Sequence, residues 1–293
     1  MKILVIGGSG VIGSKIVKFL IKKNVNVEYT YLKNKPSFGK SNILDITNKE
    51  DTEKLITKIK PEIVIHTSAL ANVDLCEKNK KLADQLNVFG TENIINACKK
   101  IKCRIVYVST SFVFDGTKSQ YFEEDTPSPS TYYGITKHKS EEMVKDSKLP
   151  YLILRTDQPY CWSENYQHTN SILRVLESLR TKKNLREIVD WWNVPTYVPD
   201  FVDAVWKLLE QNSEGIFHVV GSNFVNRYDW SITVANIFGL KKELIIPIFS
   251  EEMNLPVKRS NVNLSNKKLY EKTGIKMSGI KEGAIKMRDE LTV

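Results

Sequence analysis

The chain has 293 residues, enough for one large domain or two interleaved ones and for a core that needs neither disulfides nor metal. Hydrophobic residues at 41% and charged residues at 26% exclude a disordered chain. The net charge is +9, but lysine pairs such as Lys22-Lys23, Lys99-Lys100 and Lys241-Lys242 are scattered without interleaved aromatics, which argues for solvated helix faces, against a nucleic-acid surface, and at most for attraction of a small anion.

The first apolar run, Lys2-Ile-Leu-Val-Ile6, has the pattern of a buried parallel strand. It is too short for a signal-peptide core and leads straight into glycines, so it reads as folded structure rather than an address. Ser14 to Asn24 then sets Ile16, Val17, Phe19, Leu20 and Ile21 on a helical period. Val25 to Leu32 reads as a second strand, and Asp51 to Lys60 as a helix stopped by Pro61. A third strand covers Glu62 to His66, helix Lys80 to Lys100, and a fourth strand Cys103 to Ser109. Ser140 to Lys148 ends a helix, and Tyr151 to Arg155 is a fifth strand. Strands alternating with helices predict an α/β fold built on a doubly wound parallel sheet.

After Arg155 the pattern changes to a stretch rich in aromatic and polar residues. Helices are expected near Ser171 to Leu179, Phe201 to Glu210 and Tyr228 to Phe238, with a strand at Ile216 to Val220 that can rejoin the sheet. No apolar run reaches the roughly 18 residues of a membrane span, so no membrane is expected among the partners. Cys76, Cys98, Cys103 and Cys161 lack the paired spacing of a zinc site, and His138, His168 and His218 form no metal set. Buried thiols in a reduced, cytoplasmic setting, with no bound metal, are the expectation.

Gly7, Gly10 and Gly13 form G-x-x-G-x-x-G between the first strand and the first helix. That context suits a dinucleotide: glycine allows a tight turn, and the helix N-terminus offers free N–H groups to a diphosphate. An NAD site commonly has an acid at the end of the second strand. Here the only acid, Glu28, lies inside the run, while Lys33 and Lys35 follow it and can face a 2′-phosphate. The expected cofactor is NADP(H), with NAD(H) as the alternative.

Tyr133-Gly-Ile-Thr-Lys137 puts a phenol and an amine one helical turn apart, on one face. A neighbouring ammonium favours the phenolate, so the tyrosine can exchange a proton with an alcohol or ketone. The hydroxyls of Ser109-Thr110-Ser111 lie at the carboxyl end of the fourth strand, where open α/β sheets bind ligands. The aromatics Trp191-Trp192 lie in the later segment, where they can stack on a sugar or base or pack in a core.

On these residues the chain resembles the extended short-chain dehydrogenase/reductases, most closely the dTDP-4-dehydrorhamnose reductase group. The matching stretches are Gly7 to Gly13, His66-Thr-Ser-Ala69, Asn72 to Glu77, Asn87 to Thr91, Ser109 to Gly116, Tyr133 to Lys137, Leu154-Arg-Thr156, Pro195 to Val198, and Phe217 to Ser222 with Arg227-Tyr228. The resemblance implies a Rossmann-type NADP-binding domain over 1–155, with 196–220 partly returning to it. A smaller, discontinuous α/β substrate-binding lid would span 156–195 and 221–293. It also implies reduction of a nucleotide-sugar substrate at a 4-keto group. Thr110, Tyr133 and Lys137 would be the catalytic triad, with Tyr133 as general acid. Gly7, Ser9, Gly10, Val11, Ile12 and Gly13 would hold the pyrophosphate, Lys33 the 2′-phosphate, Asp45 and Ile46 the adenine side, and Ser68, Ala69 and Leu70 the nicotinamide side. Ser111, Gln158, Trp192 and Arg259 are the substrate-side candidates, Arg259 as a grip for the diphosphate. A homodimer is compatible with this group.

Two stretches depart from the group. Where the reductases usually read Ser-Thr-Asp-Tyr, this chain has Ser109-Thr110-Ser111-Phe112, and where they read Arg-Thr-Ser-Trp it has Arg155-Thr156-Asp157-Gln158. The redox residues are kept and the sugar-side residues are changed. Two alternatives stay open: a non-catalytic NADP-binding subunit resembling the regulatory β subunit of methionine adenosyltransferase, and a nucleotide-sugar epimerase.

Overall fold

Apolar runs become strands where both faces of a sheet are covered. In the computed structural model, which describes residues 1–291, the first half of the chain holds six strands, with helices between all successive pairs except the second and third. They are β1 (Lys2–Ile6), β2 (Asn26–Tyr31), β3 (Lys40–Ile43), β4 (Ile63–His66), β5 (Arg104–Thr110) and β6 (Tyr151–Thr156). Seven shorter ones follow: β7 (Pro159–Tyr160), β8 (Leu185–Ile188), β9 (Trp192–Asn193), β10 (Thr196–Tyr197), β11 (Gly215–His218), β12 (Val225–Asn226) and β13 (Ile245–Ile248). The central sheet has seven strands in the order β11-β6-β5-β4-β1-β2-β3, all pairs parallel. The chain winds outward from β1 in one direction and from β4 in the other. A crevice therefore opens at the carboxyl ends of β1 and β4, where such sheets bind ligands.

The periodicity does not reveal β3. Its Lys-Ser-Asn-Ile sequence has no apolar run because it is the edge strand, half exposed. Its Lys40 and Asn42 side chains bond Glu28 of β2 at 2.9 and 3.2 Å.

Helices cover both sheet faces. On one face lie α1 (Val11–Lys22), through Ile16, Val17 and Leu20, and α8 (Val198–Glu210), through Phe201, Val205 and Leu208. The other face packs against α2 (Lys49–Ile59), α5 (Gly90–Ile101) and α6 (Tyr132–Asp146). Before α5 come α3 (Val73–Lys78), α4 (Lys80–Ala83) and a π-helical stretch, Asp84–Phe89, so Lys80 to Ile101 is helical throughout. A separate core joins β8 and β13 to α7 (Ser171–Arg180), α9 (Arg227–Ile237) and α11 (Ile280–Asp289), while α10 (Lys267–Thr273) sends Leu269 into the core shared by α1 and α8.

Asparagine sets many helix starts. Asn48, Asn72, Asn170 and Asn226 each accept a backbone N–H of the first turn. α2 ends at left-handed Lys60, just before Pro61. All four cysteines are buried free thiols. Among the described residues, no helix is long and apolar enough to cross a membrane, and no group of three or more His, Cys, Asp or Glu is placed to hold a metal ion.

Candidate active site

The glycine turn closes as its spacing requires. Gly7 has φ +82° and accepts the Gly10 N–H at 2.9 Å. A Cβ on Gly13 would lie 2.3 Å from the Gly7 carbonyl oxygen, so only glycine lets α1 start this close to β1. α1 begins at Gly10 with no side-chain cap and no acid in its first turn, unlike the asparagine-capped helices. Its first-turn N–H groups, on Val11 to Gly13, therefore stay available to an anion beside Ser9. This uncapped turn, with glycine at its three closest approaches, fits a dinucleotide diphosphate.

Glu28 is buried in mid-strand and engaged by Lys40 and Asn42, so β2 offers no carboxylate at its carboxyl end. Lys33 and Lys35 are exposed on the loop just beyond. Asp45 accepts the N–H and hydroxyl of Thr47 at 2.9 and 2.7 Å, and buried Ile46 packs against Gly90.

Asn87, in the π-helical stretch, holds the segment after β4. Its Oδ1 accepts the Leu70 N–H at 2.7 Å, and its Nδ2 donates to the Leu70 carbonyl and to Thr136 Oγ1 at 3.2 and 3.0 Å. One side chain thus ties Ser68 to Leu70 to α6. The sequence marks Asn87 only as part of a matching stretch; the widened turn that aims it leaves no local signal.

Thr131 caps α6 by accepting the Gly134 N–H at 3.1 Å. A Cβ on Gly134 would fall 2.0 Å from the Phe112 carbonyl oxygen, so the helix lies directly on the segment after β5. That contact brings Tyr133 and Lys137 beside Thr110. All three line a cleft of about 400 Å³, with Ala69, Gln158 and Arg259. Phe112 also lines it and meets the Tyr133 ring edge-on at 5.7 Å. Lys137 Nζ donates to the Val108 carbonyl at 2.8 Å and lies 4.1 Å from the centre of the Tyr107 ring.

The spacing alone predicts a phenol lowered by its ammonium neighbour, but burial reverses that balance. Desolvation holds the Tyr133 phenol well above its ordinary value, with the Thr110 hydroxyl pulling the other way. Burial also lowers Lys137 to about 7, against the raising influence of Glu141. At neutral pH Tyr133 keeps its proton, as a donor should. His66 is neutral, lowered to about 3 by desolvation and by Lys137, and its Nε2 pairs with Thr91 Oγ1 at 3.0 Å. It supports the β4 end structurally.

On the outer side of the cleft, Arg259 pairs with Asp74 at 2.8 Å and lies 6.0 Å from the Trp191 ring centre. Trp191 lines the cleft, whereas Trp192 packs against Phe224 and gives its backbone N–H to Asn261. Ser111 is not among the lining residues; its hydroxyl donates to Asp157 at 2.9 Å. Gln158 accepts hydrogen bonds from Ser171 and Arg227 at 3.2 and 3.4 Å. Asp157, Trp191 and Arg227 lie far apart in the sequence, and only the fold brings them together. The same holds for Gln167, whose Nε2 donates to the Ser9 carbonyl and Ser14 Oγ at 2.9 Å each, folding the later segment over the glycine turn.

A family model described as the RmlD substrate binding domain matches residues 1–293. The chain belongs to the RmlD substrate-binding domain family. Among proteins similar to this RmlD-family chain is methionine adenosyltransferase 2 subunit beta of Rattus norvegicus, 29% identical over 276 residues, covering 92% of this chain and 81% of its own length. The crystal structure of a dTDP-4-dehydrorhamnose reductase ortholog from Clostridium acetobutylicum has a TM-score of 0.86 at 29% identity and covers 100% of both chains. That of dTDP-4-dehydrorhamnose reductase from Bacillus anthracis in complex with NADP has a TM-score of 0.88 at 24% identity, over 99% of this chain and 100% of that one, and shows the shared fold.

Proposed function

We propose that the protein is an NADPH-dependent reductase of a nucleotide-activated 4-ketosugar, similar to dTDP-4-dehydrorhamnose reductase. The observation that carries this is the convergence of Thr110, Tyr133 and Lys137 in one cleft, at the switch point of the sheet and next to an uncapped glycine turn. When bound, NADPH supplies the hydride that reduces the carbonyl at sugar C4. The residues that would hold it are Ser9 to Gly13, Lys33, Asp45, Ile46 and Ser68 to Leu70, with Lys137 at the ribose.

The chain's own residues supply the rest. Thr110 Oγ1 and Tyr133 Oη donate hydrogen bonds to the carbonyl oxygen and polarise it. As negative charge grows there, the proton passes from Tyr133 Oη to that oxygen, which becomes the alcohol. Protonated Lys137 stabilises the phenolate left behind, while burial of the phenol drives it to regain a proton from solvent. Arg259 grips the substrate's diphosphate. NADP(H) is favoured over NAD(H) because Glu28 is engaged in mid-strand and two lysines follow β2.

The test follows nicotinamide absorbance while the purified protein meets NADPH and a panel of dTDP- and UDP-4-ketosugars. Stoichiometric oxidation with at least one sugar is expected; an epimerase would give product with no net oxidation, and no turnover with any sugar overturns the proposal. The relative named as a methionine adenosyltransferase subunit favours a second reading, a regulatory NADP-binding subunit. It predicts tight NADP binding, no turnover, and a synthetase that copurifies equally with wild type and Tyr133→Phe.

A further inference from the structure

The cleft contains a carboxylate that the reduction does not use. Asp157 follows β6 directly, is 3% exposed, and lines the cleft with Thr110, Tyr133 and Arg259. Its Oδ1 accepts the Ser111 hydroxyl at 2.9 Å and its Oδ2 the Val194 N–H at 2.8 Å. A carboxylate has about four acceptor positions, so both oxygens can take a further donor. Burying a charge is costly without compensation, and a neutral side chain could hold the Val194 N–H alone. Here the Val194 and Gln158 N–H groups, Ser111 and the charge of Arg227 compensate part of that cost, and Asp157 still lies in the cleft lining, where its remaining acceptor positions can take a ligand hydroxyl.

Position supplies a second observation. Thr110 and Thr156 are register partners in β5 and β6, so Ser111 and Asp157 leave the two strands side by side. The resembling reductases usually carry Asp at the first position and Ser at the second. The two departures noted from the sequence are thus one exchange across a hydrogen-bonded pair, which moves the carboxylate from the β5 side to the β6 side. Nearby polar atoms also lack partners: Trp191 Nε1 and Ser109 Oγ are buried without a hydrogen bond among the described residues, and both residues line the same cleft. A polyhydroxylated ligand satisfies such atoms; an apolar one leaves them orphaned. Burial raises Asp157 to about 6, opposed by the Val194 N–H, Ser111 and Arg227, so the group is mostly ionised at neutral pH.

We propose that Asp157 selects the sugar: its carboxylate accepts a hydrogen bond from the hydroxyl on C3, the carbon beside the carbonyl that Tyr133 protonates, and Ser111 is its positioning residue. This rests on the reductase proposal and narrows it to 4-ketosugars that keep a C3 hydroxyl.

The experiment compares dTDP-4-dehydro-6-deoxyglucose with its 3-deoxy counterpart, using the full-length protein and NADPH. Wild type is expected to favour the hydroxylated sugar about tenfold or more in kcat/KM. Asp157→Asn should raise KM for that sugar about tenfold, change kcat less than threefold and leave KM for the 3-deoxy sugar unchanged. Ser111→Ala should shift the same KM in the same direction by a smaller factor. Calorimetric titration of the NADP-loaded protein with dTDP-glucose against dTDP, in wild type and Asp157→Asn, gives a readout independent of turnover; only the wild type should bind the sugar conjugate more tightly than dTDP. A wild type that does not distinguish the two ketosugars, or a folded Asp157→Asn that discriminates as the wild type does, overturns the assignment and leaves the reductase proposal standing. If the wild type reduces neither sugar, the same hydroxylated and 3-deoxy pair is compared on whichever nucleotide 4-ketosugar of the dTDP and UDP panel it does reduce; no turnover across that whole panel overturns the reductase proposal, and the assignment with it.

Discussion

At the residue scale, the cleft trades stability for reactivity. Lys137 is fully desolvated and lowered to about 7, with Glu141 opposing that shift, His66 neutral nearby and the Tyr107 face against its ammonium. Its unfolded value is about 10.4. Between these values the unfolded chain binds more protons than the folded one, so this group's contribution to stability rises with pH from about 7 to about 10.4. Below that window Lys137 is a standing cost. Lys137→Met is therefore expected to unfold in urea at pH 7 no more readily than wild type, while losing at least 100-fold in kcat. The protonated amine is lost as pH rises through about 7, so kcat/KM should fall above that pH in wild type and not in the variant. A pH profile rising through 7 to 9 would show that the amine works uncharged. Tyr133→Phe should lower kcat by roughly 100-fold or more with NADPH affinity unchanged, measured by fluorescence titration.

At the element scale, function depends on how α6 lies against β5 and β6. Gly134 allows contact with the Phe112 carbonyl, and the buried pair Arg155–Glu141, joined by bonds of 3.0 and 2.7 Å, ties the helix to β6. Glu141→Gln leaves a buried guanidinium with a weakened partner and should cost about 3–5 kcal/mol in chemical denaturation, whereas replacing both members with apolar residues of similar volume should cost far less. Equal losses for the single and the paired replacement would show that packing, not the unmatched charge, sets the cost. These elements also mark what the sequence makes legible. The glycine turn and Tyr133–Lys137 are local spacings, so periodicity and motif reveal them. β3 is hidden because an edge strand needs no apolar run. Asp157 and Ser111 are 46 residues apart and meet only through strand register. Trp191 and Trp192 cannot be told apart by position; β9 sends Trp192 toward Phe224 and leaves Trp191 at the cleft. The burial that raises Tyr133 is likewise a property of the assembled cleft.

At the scale of the whole molecule, the chain does not separate into a first half that folds and a second that decorates it. β11 completes the sheet beyond β6, pairing Gly215 to His218 with Leu152 to Arg155. α8 joins α1 on one sheet face, burying Val198, Phe201, Val202, Val205, Leu208 and Leu209 in the core that holds Val5, Val17 and Leu154. At about 1.5 kcal/mol or more for each such side chain, α8 contributes on the order of 10 kcal/mol, comparable to the whole stability of a typical domain. A fragment of residues 1–155 keeps every residue of the glycine turn and the triad but lacks that cover and leaves β6 as a bare apolar edge. It is expected to show no cooperative thermal transition, to bind a hydrophobic dye and not to bind NADP, while the full chain melts in one transition that NADP moves upward. A fragment that unfolds cooperatively and binds NADP would mean that the first half is self-sufficient and that α8 only covers a surface already stable in water.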